Sequence, residues 1–367
     1  MDELELARKE INEADREMAR LFEKRMNAVK SVAAYKKEHA LSISDPVREN
    51  EVIAKNSALI ENDVIREYYI EFLKNNMKLS REYQSRLNEG MKVAYSGVEG
   101  AFGYIAAMRM YPEAKLISYR TFEEAYDSVC QGECDCAVLP IENSYAGDVG
   151  NVMDLIFSGS LYVNQVIDLP VTHNLIANEG ATLDTVKTVI SHPQALAQCS
   201  EYIKSHGFEE ESYPNTAASA KHVKETGRVD VAAIASIETA QIYGLNVLQE
   251  NINSSRMNTT RFAAFSRSQS KPSGTAKKMN EHFILVFTVK NEAGALAKTL
   301  DIIGAHGYNM RNLRSRPMKE LLWSYYFYIE AEGSINTQDG KDMLRELGAT
   351  CDRLKLAGTY YTSGLKR

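Results

Sequence analysis

Two threonines and an arginine stand in a row at the start of an apolar stretch, Met257 to Ser266, with the sequence MNTTRFAAFS. The apolar residues that follow are typical of a buried strand. The hydroxyls of Thr259 and Thr260 and the guanidinium of Arg261 have two interpretations. Either they lie where a sheet edge meets water, or the strand holds a hydroxyl ready to do chemistry.

A second set of side chains that could do chemistry lies in residues 1–89. This block contains no glycine and one proline, a composition that predicts long helices with one break. On such a helix Arg25 and Lys36 are eleven residues apart and share a face, about 16 Å apart along the axis. Arg8 is about 25 Å from Arg25 and turned away. One straight helix cannot gather all three round a small molecule, whereas a second chain could supply Arg8.

The predicted break and the third helix of this block carry further polar residues. Asp45, Arg48 and Glu49 lie in the break, and Ser80 and Gln84 are four residues apart, hence on one face of a helix. For any one of them a solvated charged face is the simpler interpretation. Their joint spacing is what indicates a binding site.

Short strands alternate with helices from Lys92 to about Arg267, which is an α/β pattern. Five residues beginning at Thr121 recur at a constant offset of 95, beginning at Thr216. Each copy predicts a helix N-cap, a helix, a glycine stop and a buried strand. The repeat therefore favours two similar lobes with a ligand-binding cleft between them.

Polar residues occur in this block where strands end and helices begin. Asn143 and Ser144 follow the apolar run CAVLPI, and Ser191 precedes a helix that contains Gln198. N-capping accounts for some of these residues. The glycines of YSGVEGAFGYIAA lack the spacing of a dinucleotide fingerprint, so a loop that offers backbone N–H groups to an anion is favoured over a cofactor site.

The composition of the whole chain excludes several classes of function. Its 367 residues are 44% apolar and carry a net charge of -6 without a basic stripe, which argues for two or three domains and against a nucleic-acid partner. No apolar run approaches the ~20 residues that span a bilayer, and the charged first residues are unlike a signal peptide, so we expect a cytoplasmic protein. The five cysteines lack zinc-like spacing, so we expect no metal site.

The charged set of the first block resembles that of the all-helical chorismate mutases, whose intertwined dimers take one arginine of each site from the partner. The resemblance implies that Arg25, Arg48 and the second chain's Arg8 hold the carboxylates of chorismate. It further implies that Lys36 and Gln84 donate to the ether oxygen. Asp45, Glu49 and Ser80 would orient the substrate.

The α/β block resembles prephenate dehydratase, because PIENS, SHPQAL and TTRF occur in the order of that family. The resemblance implies that the Thr260 hydroxyl is catalytic, with Thr259 as a less favoured alternative. Arg261 would either hold a substrate carboxylate or brace the lobes. The remaining implied cleft residues are Asn143, Ser144, His173, Ser191 and Gln198.

The last block, from about His282 to Tyr361, follows a Ser/Lys/Gly-rich linker and predicts the ferredoxin-like order βαββαβ. It resembles the amino-acid-binding ACT domain through a G-A-L stretch and an R-S-R-P stretch. The resembled motif has glutamate where this chain has Arg314, so the alternative is a domain that only dimerises the chain. The implied phenylalanine-binding residues are Gly294, Ala295, Leu296, Asn309, Ser315 and Arg316.

Together these resemblances imply three domains: an all-α chorismate mutase at 1–89, a two-lobed, periplasmic-binding-protein-like α/β dehydratase at 91–268, and a ferredoxin-like ACT domain at 281–361. The chain would convert chorismate to prephenate and prephenate to phenylpyruvate without cofactor or metal. It would act as a homodimer or higher homo-oligomer, with phenylalanine as effector. The alternatives are a dehydratase that prefers arogenate and a non-catalytic, two-lobed amino-acid sensor.

Overall fold

The structure is a computed structural model that describes residues 2–254, 257–269, 280–318 and 324–362. The chain divides into two units, Met1–Lys92 and Val93–Arg367.

The first unit consists of three helices: α1 (Glu3–Glu38), α2 (Pro46–Ser57) and α3 (Asp63–Glu89). The break between α1 and α2 ends at Asp45, whose carboxylate caps α2, with Pro46 in the first turn where its missing N–H costs nothing. The unit buries few of its own apolar side chains. On α1 the exposed ones are Leu4, Leu6, Ile11, Met18, Leu21, Phe22, Val32 and Tyr35.

The second unit begins with two α/β lobes, as predicted, each built on its own sheet. The first lobe contains β1 (Lys92–Ser96), α4 (Phe102–Met110), β2 (Lys115–Tyr119), α5 (Phe122–Gln131), β3 (Cys136–Asn143), β4 (Gly147–Asp148), α6 (Gly150–Ser158), β5 (Tyr162–Pro170) and β11 (Thr259–Ser266). The second lobe contains β6 (Asn174–Ala177), β7 (Thr188–Ser191), α7 (Pro193–Gln198), α8 (Ser200–His206), β8 (Glu209–Ser212), α9 (Thr216–Thr226), β9 (Val231–Ala235), α10 (Ile237–Tyr243) and β10 (Asn246–Gln249). The chain therefore crosses between the lobes after β5 and again before β11.

The repeat at offset 95 corresponds to equivalent elements of the two lobes. Helices α5 and α9 both end at a left-handed glycine, Gly132 at φ 83° and Gly227 at φ 64°, and a buried strand follows each. One detail of the prediction is wrong. Thr121 caps α5, but the cap of α9 is Asn215, so Thr216 is already the first helical residue.

The C-terminal block has the predicted order βαββαβ: β12 (Asn280–Thr288), α11 (Ala295–Ala305), β13 (Asn309–Pro317), β14 (Tyr325–Glu332), α12 (Gln338–Thr350) and β15 (Arg353–Thr362). Its strands are ordered β13-β14-β12-β15, which is the ferredoxin-like arrangement. Strand β15 continues into the first lobe, because Gly358 pairs in parallel with Val163 of β5. A Cβ at Gly358 would lie 2.1 Å from the Val163 carbonyl oxygen, so only glycine permits this contact.

The first lobe and the C-terminal block consequently share one sheet and one hydrophobic core. Leu139 and Phe265 of the lobe belong to the same buried cluster as Ile284, Tyr328 and Tyr360 of the C-terminal block. Strand β11, which carries the Thr-Thr-Arg sequence, lies between β3 and β5 within this sheet. It is therefore held on both sides by hydrogen-bonded neighbours.

Candidate active sites

In the first unit, Arg25 on α1 and Ser80 on α3 lie in contact. The Arg25 guanidinium donates to the Ser80 hydroxyl at 2.5 Å and to the Asn76 carbonyl at 3.5 Å. Partial burial lowers the pKa of Arg25 from its usual value, and the group remains a cation. Lys36, further along α1, donates to the Ile43 carbonyl at 2.7 Å.

Gln84 lies one turn from Ser80 and is almost completely buried. Its amide nitrogen donates to the Ser80 carbonyl at 3.3 Å. Its oxygen has no hydrogen-bond partner within the described part of the chain. A buried polar atom without a partner is costly to stability.

The residues of the predicted break have partners of their own. Asp45 accepts from the Arg48 backbone N–H at 3.0 Å as the cap of α2, and Arg48 pairs with Glu51 at 3.1 Å on the surface. Glu49 binds Arg81 of α3 at 2.5 Å, a partner that sequence reasoning missed. Arg8 is exposed on α1.

In the second unit a cavity of about 340 Å³ lies between the two lobes. Four of the predicted residues line it, namely Asn143, His173, Gln198 and Thr260. Other lining residues that were not selected from the sequence include Phe102, Asp148, His192, Asn215, Thr216 and Asn258. Asn258 stands two positions before Thr260, so proximity to the motif was a signal for it.

A chain of hydrogen bonds joins the four predicted residues through Asn258. Asn143 donates from Nδ2 to Thr260 Oγ1 at 2.9 Å and to Asn258 Oδ1 at 2.8 Å. Asn258 in turn donates to Gln198 Oε1 at 2.9 Å. The same oxygen lies 2.8 Å from Nε2 of His173. Side chains from both lobes therefore form one polar network along the wall of the cavity.

The network shows that the Thr260 hydroxyl acts as an acceptor towards the protein. Asn143 Oδ1 accepts from the backbone N–H groups of Tyr145 at 3.0 Å and Ala146 at 2.9 Å, so its NH₂ group must face Thr260. Thr260 Oγ1 thus accepts a hydrogen bond from the protein. Its own proton remains available to donate to a molecule in the cavity.

His173 is a neutral imidazole in this network. Burial lowers its pKa from the ordinary value, an effect that the contact with Gln198 only partly opposes. Gln198 Oε1 can only accept, so Nε2 carries the proton and Nδ1 is an acceptor. Nδ1 is buried and has no partner among the residues that the structure describes.

Helices α4 and α9 begin at the cavity, at Phe102 and Thr216, and the N-cap residues of α6 and α7, Val149 and His192, line it as well. The N-cap of α4, Ala101, makes no side-chain hydrogen bond, so the cap residue provides no acceptor for the first N–H groups of this helix. Among the described residues that line the cavity there is no lysine or arginine. An anion bound here would be held by hydrogen bonds and helix ends, as predicted for the glycine-rich loop.

Three predicted hydroxyls do not line the cavity. Ser144 accepts from the Thr259 N–H at 2.9 Å and donates to the Met257 carbonyl at 2.8 Å, so it clamps the start of β11. Ser191 is fully buried and donates to the Ile234 carbonyl at 2.7 Å. Thr259 lies next to Thr260 but outside the cavity. Hydrogen bonds to backbone groups, and not contact with a ligand, therefore explain Ser144 and Ser191.

Arg261 contacts acidic residues instead of lining the cavity. It makes two hydrogen bonds to Glu330 of β14, at 2.9 Å and 3.0 Å, and one to the Tyr360 hydroxyl at 3.1 Å. It also lies 3.4 Å from Glu142. Successive strand residues point to opposite faces, which sends Thr260 to the cavity and Arg261 away from it. The sequence predicts that Arg261 either holds a substrate carboxylate or braces the two lobes, whereas these contacts brace the C-terminal block against the first lobe.

The residues predicted to bind an effector are distributed around the start of α11 and along β13. Gly294 adopts φ +83° as the N-cap of α11, and Ala295 and Leu296 form its first turn. Asn309 donates to Glu332 at 3.1 Å, and Ser315 is exposed. Arg316 faces the first lobe, where its Nε lies 3.3 Å from Asp154, so it does not share the solvent side with Ser315.

Among the described residues, no cluster of three or more His, Cys, Asp or Glu side chains could hold a metal ion. No described helix is both long enough and apolar enough to cross a bilayer.

Comparison with known proteins adds independent information. Family models match residues 7–85 as chorismate mutase type II and residues 93–270 as prephenate dehydratase. Arogenate dehydratase 2 of Petunia hybrida is 32% identical over 84% of this chain and 83% of its own length. A bifunctional chorismate mutase/prephenate dehydratase of Aquifex aeolicus (strain VF5) is 29% identical over 98% of both chains. A solved prephenate dehydratase from Arthrobacter aurescens, in complex with L-Phe, has a TM-score of 0.68 at 29% identity and covers 75% of this chain and 91% of that chain.

Proposed function

Because the chain belongs to the prephenate dehydratase family and carries a type II chorismate mutase domain ahead of it, we propose which residues carry each reaction. The enzyme converts chorismate to prephenate and prephenate to phenylpyruvate, in phenylalanine biosynthesis. The expectation of both activities from sequence is thereby confirmed. The proposed domains are residues 1–89, 91–268 and 281–361.

The dehydratase reaction centres on Thr260. Prephenate loses its ring carboxylate as CO2, the electron pair of that bond enters the ring, and the hydroxyl on the opposite carbon leaves. Thr260 hydrogen-bonds this hydroxyl and supplies the proton that makes it water, and solvent then restores the proton to Thr260. The observation that carries this assignment is the 2.9 Å hydrogen bond from Asn143, which leaves the proton of the cavity-lining Thr260 hydroxyl available to donate.

The surroundings of the cavity suit decarboxylation. With no lysine or arginine among its described lining residues, a substrate carboxylate there is weakly stabilised, which favours its loss as CO2. The second carboxylate, on the side chain of prephenate, would accept from N–H groups at the starts of α4 and α9. Gln198 and His173 would hold the remaining polar groups, with the unpartnered His173 Nδ1 as an acceptor.

The mutase reaction needs no proton transfer, only a compact conformer and stabilisation of the breaking ether bond. Arg25 and Arg48, with Arg8 of a second copy, would hold the two carboxylates. Lys36 and Gln84 would donate to the ether oxygen, for which Gln84 turns its amide from the Ser80 carbonyl. Asp45, Glu49 and Ser80 would orient the substrate, with Glu49 fixed by its pair with Arg81.

A second copy of the chain is required by this assignment. Arg8 is about 25 Å from Arg25 along α1, too far for one site on a single helix. The exposed apolar residues of α1 supply a face that a partner helix would cover. We therefore propose at least a homodimer.

Phenylalanine is the proposed effector of the C-terminal, ACT-like block. The support is the ferredoxin-like topology, the G-A-L sequence at Gly294 to Leu296, and the L-Phe in the complex of the Arthrobacter aurescens relative. Arg314 replaces the glutamate of the resembled motif. Calorimetry with millimolar phenylalanine tests the proposal, and absence of both heat and inhibition would reject it.

The function is tested by one assay of the purified chain. Loss of chorismate and appearance of phenylpyruvate are followed by absorbance, with and without phenylalanine, and arogenate is supplied in parallel. We expect turnover of chorismate and prephenate, with prephenate preferred over arogenate. No turnover of chorismate, prephenate or arogenate would leave the binding-protein alternative, and faster turnover of arogenate would reassign the substrate.

A further inference from the structure

The hairpin formed by β3 and β4 holds two carboxylates directly opposite one another. Glu142 pairs with Asp148, and Asn143 pairs with Gly147, in the antiparallel register. Like charges at directly opposed positions destabilise a strand pair. The hairpin also carries Asn143, which donates a hydrogen bond to the Thr260 hydroxyl. Its conformation is therefore both electrostatically strained and important for the site.

Arg314 of the C-terminal block relieves this repulsion. One guanidinium nitrogen lies 2.5 Å from Glu142 Oε1, and the other contacts Asp148 Oδ1. The guanidinium is held in that direction by a 2.9 Å hydrogen bond from its Nε to Asn312. The Arg314 side chain is 17% exposed and both carboxylates are 26% exposed, so solvent screens the three charges only in part.

Both carboxylates that Arg314 contacts are linked to the cavity. Asp148 itself lines the cavity, where an unpaired carboxylate would repel a dianionic substrate. Glu142 also lies 3.4 Å from Arg261, which Glu330 of the C-terminal block holds from the other side. Arg261 directly follows Thr260 in β11. The C-terminal block therefore forms ion pairs with both strands of the Thr260–Asn143 pair, β11 and β3.

We propose that Arg314 is a positioning residue of the dehydratase site, which keeps the 142–148 hairpin closed so that Asn143 stays on Thr260. The proposal rests on the proposed dehydratase function. It assigns the C-terminal block a role in catalysis in the absence of any effector. Arg314 acts through Glu142 and Asp148 and does not touch substrate.

The kinetic test compares Arg314→Gln with Arg311→Gln in the full-length chain. Arg311 is on the same strand and binds Glu332 of its own domain at 3.0 Å, so the second variant matches the change in charge and residue type without touching the hairpin. In Arg314→Gln we expect kcat for prephenate to fall about tenfold to hundredfold, more than KM changes. Chorismate mutase activity and both activities of Arg311→Gln should be unchanged.

Two further variants separate positioning from loss of the fold. Adding Asp148→Asn to Arg314→Gln removes the repulsion and should restore much of the lost kcat. Arg314→Lys keeps the charge but loses the pair of guanidinium nitrogens that contact Glu142 and Asp148, so its kcat should be intermediate. If Arg314→Gln instead lowers only Tm, with kcat per folded molecule unchanged, or if Asp148→Asn restores nothing, the proposal is wrong.

Hydrogen–deuterium exchange gives a readout that needs no activity. The amides of residues 144–149 should exchange at least about tenfold faster in Arg314→Gln than in Arg311→Gln. Unchanged exchange would overturn the proposal even if the chain is an active dehydratase. Faster exchange in a chain that turns over neither prephenate nor arogenate would support the positioning of the hairpin by Arg314 and reject only the proposed function.

Discussion

Replacement of Thr260 by valine tests the dehydratase mechanism most directly. The two side chains have almost the same shape, so the change removes one hydroxyl from the cavity. Asn143 Nδ2 keeps the Asn258 oxygen at 2.8 Å and the Thr259 carbonyl at 3.3 Å as acceptors. No buried donor is orphaned, and the expected loss of stability is about 1 kcal/mol, that of a single hydrogen bond.

The kinetic effect should be far larger than the effect on stability. A positioned proton donor contributes roughly 10²- to 10⁴-fold to a rate, so kcat for prephenate should fall within that range in Thr260→Val. Phenylpyruvate is followed by absorbance, and chorismate mutase activity of the same sample measures the amount of active protein. KM should change little, because Asn143, Gln198 and the helix ends remain.

Thr259→Val is the matched control. It makes the same chemical change one position earlier on the same strand, at a residue that lies outside the cavity and binds Ser144 through its backbone N–H. Its dehydratase rate should equal that of the unmodified chain. A loss of less than about tenfold in Thr260→Val would refute Thr260 as the proton donor. A large loss in Thr259→Val would move the role to that hydroxyl.

Three further predictions concern other parts of the chain. Arg25→Ala should abolish mutase activity and leave dehydration intact, measured in the same two assays; equal loss of both would mean a shared site. Glu330→Gln should destabilise the second unit by about 3–5 kcal/mol in chemical denaturation, because it leaves the largely buried Arg261 cation without its two-bonded partner; a change below about 1 kcal/mol would show that Glu142 and Asp168, which lie 3.4 Å and 3.5 Å from Arg261, compensate. His173 has a lowered pKa, so the unfolded chain takes up the proton first and stability falls as pH drops below about 6.5. The decrease in Tm between about pH 7.5 and about pH 5.5 should be smaller in His173→Gln, and an equal decrease would place the titration elsewhere.

The residues of the cavity were predictable where polar side chains interrupt an apolar pattern. Asn143 follows a buried strand, and Gln198 ends the helix that begins beside the cavity, so a two-lobed fold brings them together. Ser144 and Ser191 occur in the same kind of sequence, yet they satisfy backbone groups. A hydroxyl at a strand end fits both roles equally well, and only the positions of neighbouring carbonyl and N–H groups decide between them.

Arg261 shows a different limit of predicting side-chain contacts from sequence. Strand alternation alone indicates that it points away from Thr260, so a substrate contact for both residues was inconsistent with the predicted strand. Its actual partners, Glu330 and Tyr360, are 69 and 99 residues distant in sequence. Neither lies in a motif, and both occupy strands whose apolar pattern predicts only burial.

The Ser/Lys/Gly-rich stretch before residue 280 predicts a linker, most of which lies outside the described residues, and the elements on either side of it pack together. One parallel pair, Gly358 with Val163, extends the sheet that contains β11, and Tyr328 and Tyr360 complete the core beneath it. Arg314 and Glu330 of the C-terminal block form ion pairs with Glu142 and Arg261 of the first lobe. Strand β11 is thus fixed by residues on both sides of that stretch, and this is the physical basis of the effect on dehydration that we propose for Arg314.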